Sequence, residues 1–550
     1  MRCLKITALM MLSVCVAVLP SCSEKNISPY EQTIYYSIES EPVTLDPQIA
    51  DDSSARLVIM NIFEGLTKLD KNDNAVRGVS DGWKADLSKM EYTFHIRENA
   101  RWSDGSKLTA HDFVYGFQRL FSSDTGSETA EKLFCIKNSR KIKNNETDIS
   151  KLGVYAESEN SLKISLEYLD PQFLRLLAEP FSMPCKKEFF ESTGGQYGLE
   201  YDKILSNGAF CVGEYGWEHE KYINLVRNPN YTGEKKPIPK GVNISISESP
   251  ENVCSAVANG RIDCYKMDMS EYAQAKKDKL NLTAFGDTVW GIAFNTKSDI
   301  FNDKDIRVSL LKALDKKKIL QNLPDGCRMT EDIIPETAKA GTVTYREFVG
   351  RGMGIKFSES AKSELEKALE KLNEHEEDYY YYWYEYEEKE LPVLNILCTD
   401  ETEMQGVVNG IIKAWNGLTG KYANKTPVSR EELNKTVLSG EYDIAIVPLK
   451  PDGESPADML KFFESGSEYN VSRLSDENYD KLINDILSKP DASGIDKMIK
   501  AEKYLNDSGI FYPLYTEDRY YVSAGNVKGI IFHPYGAEAD FSGAEKSADL

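Results

Sequence analysis

Three short patterns in the 550-residue chain could carry chemistry, and each fails on its neighbours. Gly78, Val79, Ser80, Asp81 and Gly82 spell GxSxG, the turn that presents a serine nucleophile in many hydrolases. That turn needs an apolar strand before the serine and a helix after it. Here a polar turn precedes and Trp83-Lys84-Ala85-Asp86-Leu87 follows, so a catalytic Ser80 is not expected. Asp70, Asn72 and Asn74 have the alternating oxygens of a calcium loop. Its sixth position is Ala75 rather than Gly and its twelfth Asp81 rather than Glu, which favours a hairpin turn. The five histidines (His95, His111, His219, His375 and His533) include no HExxH spacing, leaving little material for a general base or a zinc site. No catalytic residue, metal or cofactor is expected.

Bulk properties narrow the class further. The length suits two or three domains rather than one core. A composition of 41% hydrophobic and 28% charged residues is that of a soluble protein, and a net charge of -22 argues against nucleic acid as a partner. At the N-terminus, Arg2 and Lys5 precede an apolar run from Ile6 to Val18, the pattern of a secretory signal.

The elements that would position a site are clearest between Tyr92 and Leu120. Tyr92, Phe94 and Ile96 alternate with Thr93, His95 and Arg97, the period of a half-buried strand, and Ser103-Asp104-Gly105 turns the chain. A helix is predicted next, with Thr109 as N-cap, Asp112 three residues on, and Phe113, Phe117 and Leu120 on one face.

This stretch, YTFHIRENARWSDGSKLTAHDFVYGFQRL, closely resembles the signature of the family 5 extracellular solute-binding proteins, the oligopeptide and dipeptide receptors of ABC importers. Further phrases resemble the same family: TLDP at residues 44–47, IFEGLTKLD, SNGAFCVGEYGW with NPNY, VWGIAFNT, NYDKLINDI and GIFYPLY. Together they span about Thr33 to Phe541. The resemblance implies an α/β, two-lobed clamp of the large periplasmic-binding-protein type, with an extra domain in the first lobe. It implies residues 33–54, 188–287 and 505–541 as the first lobe, 55–187 as the extra domain, and 288–504 as the second lobe. In it, the strand VWGIAFNT passes from one lobe to the other. The Tyr/Glu-rich run at residues 374–390 has no counterpart in the family pattern, and an exposed hairpin or loop is expected there.

Leu19-Pro20-Ser21-Cys22 resembles a bacterial lipobox. It implies that residues 1–22 are a signal peptide, that Cys22 carries lipid, and that residues 23–32 tether the body to the outer face of the cytoplasmic membrane or within the periplasm. Of the remaining seven cysteines, Cys254 and Cys264 could pair, whereas most are expected to be buried free thiols.

For the ligand, the family phrase ADYxxP places an acidic residue against a peptide ammonium group, and Asp452, four residues before Pro456, has that spacing. A solvated loop carboxylate is the alternative. Main-chain pairing with a peptide is expected from the segment containing Ser37, Glu39 and Ser40 and from the one containing Leu449, Lys450 and Gly453. Trp290 would either line the cleft or pack in the core. The resemblance thus implies a monomeric, non-enzymatic receptor that delivers peptide to a permease. An oligosaccharide or metal-chelate receptor of the same fold, and a surface peptide sensor or adhesin, are the alternatives.

Overall fold

The computed structural model describes residues 32–247, 252–267, 269–340, 343–380, 390–451, 453–488, 494–535 and 539–547. In chain order, β1 (Thr33–Ile38) and α1 (Ser53–Ile62) lead to β2 (Ser80–Asp86) and β3 (Glu91–Ile96). Helix α2 (Ala110–Phe121) then separates these from β4 (Val154–Ser158) and β5 (Ser161–Ser165). There follow β6 (Phe210–Glu218), β7 (Tyr222–Arg227), β8 (Gly241–Ile246), β9 (Cys264–Met267), β10 (Asn281–Phe294) and β11 (Cys327–Met329). The next block is α3 (Ala361–Tyr380), β12 (Asn395–Thr399), α4 (Thr402–Thr419), β13 (Asn424–Val428), α5 (Arg430–Ser439) and β14 (Ile444–Leu449). Short α6 (Pro456–Leu460), α7 (Gly494–Ser508) and the long β15 (Phe511–Ser523) come last among the elements used below.

These strands form three main sheets. The first-lobe sheet has the order β1-β8-β7-β6, with β1 at its edge and parallel to β8 in the register Thr33↔Gly241 to Ile38↔Ile246. The extra sheet is antiparallel, in the order β2-β3-β5-β4. The third has seven strands in the order β9-β15-β10-β14-β12-β13, with β11 also paired to β15. Its members β12, β13 and β14 run parallel and need cover on both faces, which is why β14 reads as the unbroken apolar run Ile444-Ala445-Ile446-Val447.

The signature stretch folds as its pattern predicts. Tyr92, Phe94 and Ile96 are buried on β3. In α2, the Thr109 and Asp112 side chains close a capping box, Thr109 N–H donating to Asp112 Oδ2 at 2.7 Å, and Phe113, Phe117 and Leu120 are buried. Two family phrases then meet in the interior: Arg119 of α2 makes a bidentate pair with Asp46 of TLDP, at 3.0 and 2.5 Å, and stacks over Phe190 at 3.9 Å. The pattern at 70–74 is a hairpin turn, with Asp70 Oδ1 accepting the N–H groups of Asn72 and Asn74 at 2.8 and 2.9 Å. Ser80 starts strand β2 instead of an elbow, and its hydroxyl donates to the Gly82 carbonyl at 2.6 Å.

Several expectations need correction. Cys254 and Cys264 do not pair: all seven described cysteines are free thiols, and Cys254 Sγ faces Met267 Sδ at 3.7 Å. Residues 374–380 continue helix α3 rather than forming a loop; residues 381–389 lie outside the described residues, as does Cys22. The crossing strand β10 begins at Asn281, well before Val289. Its partner β15 likewise runs past Tyr515 to Ser523, because Glu517, Asp518 and Arg519 are neutralised by ion pairs instead of breaking the strand.

Core membership divides the two long strands β10 and β15. Leu282 and Phe285 of β10, and Tyr520, Tyr521 and Val522 of β15, pack with the core shared by the first-lobe and extra sheets. Farther along, Trp290, Ile292 and Phe294 pack on one face of the seven-stranded sheet, and Val289 and Ala293 on the other, the alternation of a doubly covered strand. The change-over falls where the β10–β15 register breaks, between Phe285 and Thr288, opposite Glu517 to Arg519. Helix α1 contributes Leu57, Val58, Ile59 and Ile62 to the first core, and Ala501 and Leu505 of α7 belong to the second lobe.

Candidate ligand cleft

In open α/β sheets ligands bind beyond the carboxyl ends of the strands, so the segments leaving β1, β12, β13 and β14 define the place to look. On the first lobe, β1 is an edge strand whose Tyr35 N–H donates to Asp263 Oδ2 at 2.8 Å and whose Tyr35 carbonyl accepts from Asp263 N–H at 2.8 Å. Both contacts lie on the side away from β8. Strand geometry points the main-chain groups of Ser37 to that same outer side, since residues i and i+2 face alike, and Glu39 follows in the bend that ends the strand.

Side chains around this edge lock it in place. Ser37 is buried, its hydroxyl 2.9 Å from the Ser247 hydroxyl, so it presents backbone rather than side chain. Glu39 accepts from Lys266 at 2.8 Å, and the Ser40 hydroxyl lies 3.5 Å from that of Ser54. These residues share one polar recess with Tyr265. Glu41 fixes the following turn, with its carboxylate taking Trp217 Nε1–H at 2.8 Å, His219 Nδ1 at 2.6 Å and the Glu220 N–H at 3.0 Å. For His219, burial lowers the pKa, but the carboxylates of Glu41 and Glu200 outweigh it and raise the value above the ordinary histidine range.

On the second lobe, the expected residues are divided. Leu449 ends β14 opposite Val289 and is buried in the core, so only its backbone is available to a ligand. Lys450 is exposed. Asp452 lies outside the described residues. Gly453 packs so tightly that a Cβ there would meet Asp458 Oδ2 at 2.3 Å, and Ser455 with Asp458 forms the capping box that starts α6. Trp290 belongs to the core: it is 1% exposed and stacked on Tyr515 at 6.0 Å between ring centres, with its Nε1–H donated to the Glu517 carboxylate.

Sequence reasoning missed a charged group on this rim. Arg430, the first residue of α5 beyond β13, donates through Nε to Glu401 at 2.5 Å and through a terminal nitrogen to Glu517 at 3.2 Å, and sits 5.2 Å above the Trp290 ring. The signal available was the acidic pair Glu517-Asp518 inside an otherwise apolar strand.

A second missed group lies where the extra domain meets the second lobe. Arg175 donates to Glu179 at 2.7 Å and lies 2.8 Å from the carboxylate of Glu454, with Lys339 3.9 Å from the other Glu454 oxygen. Burial pushes the Glu454 carboxyl above the usual carboxylate range, with Arg175 and Lys339 pulling it back. Nearby Asp170 is pushed up to about 6, chiefly by burial and further by the charge of Asp458, against the Gln172 N–H that stabilises its ionised form. Among the described residues no group of three or more His, Cys, Asp or Glu side chains is arranged to hold a metal ion, and no helix is long and apolar enough to cross a membrane.

Comparison with known proteins accounts for this architecture. Residues 76–470 match the model of the bacterial extracellular solute-binding proteins, family 5. A dipeptide-binding protein of Lactococcus lactis is 25% identical over 545 residues, covering 96% of both chains. A periplasmic oligopeptide-binding protein of Salmonella typhimurium is 26% identical over 506 residues, covering 90% of this chain and 89% of its own. The substrate-binding domain of an oligopeptide ABC transporter from Bacillus anthracis superposes with a TM-score of 0.65 at 25% identity, over 94% of this chain and 99% of its own. The two-lobed α/β fold is shared with these structures, and this chain belongs to the family 5 bacterial extracellular solute-binding proteins.

Proposed function

We propose that this protein captures peptides in the cleft between its lobes and delivers them to an ABC transporter permease. The observation that carries the reading is the outer edge of β1, which turns the main-chain groups of Ser37 away from β8, beside the recess that Ser37, Glu39 and Ser40 line. An edge strand recognises extended peptide through main-chain hydrogen bonds and leaves side chains to tolerant pockets. Relatives named as dipeptide- and oligopeptide-binding proteins support the same class. Asp452 is assigned to the ligand's ammonium group by its spacing from Pro456, and the backbones of Leu449, Lys450 and Gly453 to pairing from the opposite lobe.

The division into lobes follows core membership. The first lobe takes α1 as well as residues 33–54, and its return segment starts near residue 518 rather than 505, since α7 and the first half of β15 pack with the second lobe. The protein works as a receptor without catalysis. Lipid on Cys22 holds a monomer to the membrane face, where the raised local concentration favours the permease.

Calorimetry and thermal shift against di- to octapeptides, with oligosaccharides in parallel, test the reading. Peptides should raise the melting temperature by mass action, and Asp452→Asn should remove most of that shift. Stabilisation by oligosaccharides alone overturns it. Metabolic labelling with palmitate, lost in Cys22→Ala, tests the anchor.

A further inference from the structure

Arg175 belongs to the segment that follows the extra sheet, whereas Glu454 belongs to the loop that leaves β14 at the cleft. Both side chains are nearly inaccessible, 11% and 4% exposed, so at 2.8 Å they attract strongly and each would be costly to leave alone. The same surfaces meet twice more. Gln172 Nε2 donates to the Lys339 carbonyl at 3.0 Å, and the Lys339 ammonium donates to the Asn72 carbonyl. Lys339 is tied in turn to the loop, its N–H donating to the Glu454 carbonyl at 2.7 Å. Three residues of one body thus grip two residues of the other.

The grip is placed to act on the cleft. Glu454 lies five residues beyond Leu449, between Gly453, which packs against Asp458, and Ser455, whose capping box with Asp458 starts α6. A displacement of the extra domain is therefore passed through Glu454 to the start of α6, next to the carboxyl end of β14. The pair is also incomplete: Glu454 Oε2 has no hydrogen-bond partner among the described residues, and Arg175 makes no bidentate fork with it. Such a contact can be made and broken with domain movement, unlike a fully satisfied buried network.

We infer that Arg175 is a positioning residue for ligand capture: through Glu454 it latches the extra domain onto the second lobe and holds the segment that follows β14 in the position it has in this structure. The inference rests on the peptide reading only for what fills the cleft.

The test compares wild type with Arg175→Gln, Glu454→Gln, their double variant and Gln172→Ala. In small-angle scattering of the unliganded protein, the first two variants should show a larger radius of gyration, the double variant no more than either alone, and Gln172→Ala a smaller increase. With trialanine as probe, dissociation should be about tenfold faster in the first two and no faster still in the double variant. Scattering unchanged in all single variants, or effects that simply add in the double variant, overturns the latch. Should either charge variant fail to fold, Gln172→Ala still decides it: an unchanged radius of gyration overturns the latch. The scattering arm uses no ligand, so failure of every peptide to bind overturns the peptide reading while the latch is judged on shape alone.

Discussion

Arg119–Asp46 inside the first lobe and Arg175–Glu454 between the extra domain and the second lobe are both buried, but they are built differently. Arg119 forks onto both oxygens of Asp46, adds Gln48 Oε1 at 2.7 Å and lies over Phe190. Arg175 divides itself between two carboxylates and leaves one oxygen of Glu454 without a hydrogen bond. A buried charge pair with matched partners fixes one arrangement, whereas a partly satisfied one holds a boundary that can open. The first pair ties together two phrases within one core, and the second crosses from the extra domain to the second lobe.

The contrast can be broken by mutation, starting where the effect is largest. Arg119→Ala should strand Asp46 in the interior and cost about 3–5 kcal/mol of folding stability, read from urea unfolding of the protein. Glu454→Gln should cost less, about 1–2 kcal/mol by the same measurement, because Arg175 keeps its pairing with Glu179 and the change also removes a charge that burial disfavours. Equal losses in the two would remove the distinction.

Titration sharpens the comparison. Asp170, beside the latch, has its pKa at about 6 in the folded protein against 3.8 when unperturbed. The folded state then binds more protons than the unfolded one between those values, so this group makes stability fall as pH rises from about 4 to 6. Asp170→Asn should flatten that slope in thermal melts across the window. A smaller effect is expected at His219. Its pKa is raised in the folded protein, so its pairing with Glu41 stabilises below the ordinary histidine value and is lost as pH rises through the folded one. Glu41→Gln should lower the His219 pKa followed by NMR, with little change in the melting temperature.

The comparison also explains what could be read in advance. The β3–α2 stretch was legible because its causes are local: alternation, turn residues and a capping box all act within a few residues of one another. The strands that carry the candidate site were legible, but the directions of their side chains were not. Ser37 turned inward to Ser247, and Trp290 went to the core because its indole N–H found Glu517 on the neighbouring strand. Arg430 gave no local sign of its role, since its partners come from Glu401 and Glu517 on two other elements.

By itself the sequence determined the family, the strand and helix phrases of both lobes, and the absence of any well-formed catalytic pattern, since each depends on short-range spacing. Only the tertiary structure decided how far β10 and β15 extend, that Cys254 and Cys264 stay apart, and that Arg175 reaches Glu454. Those outcomes depend on how separately formed units pack. Burial and charge pairing between residues distant in the chain are settled by the assembled cores, and no local pattern encodes them.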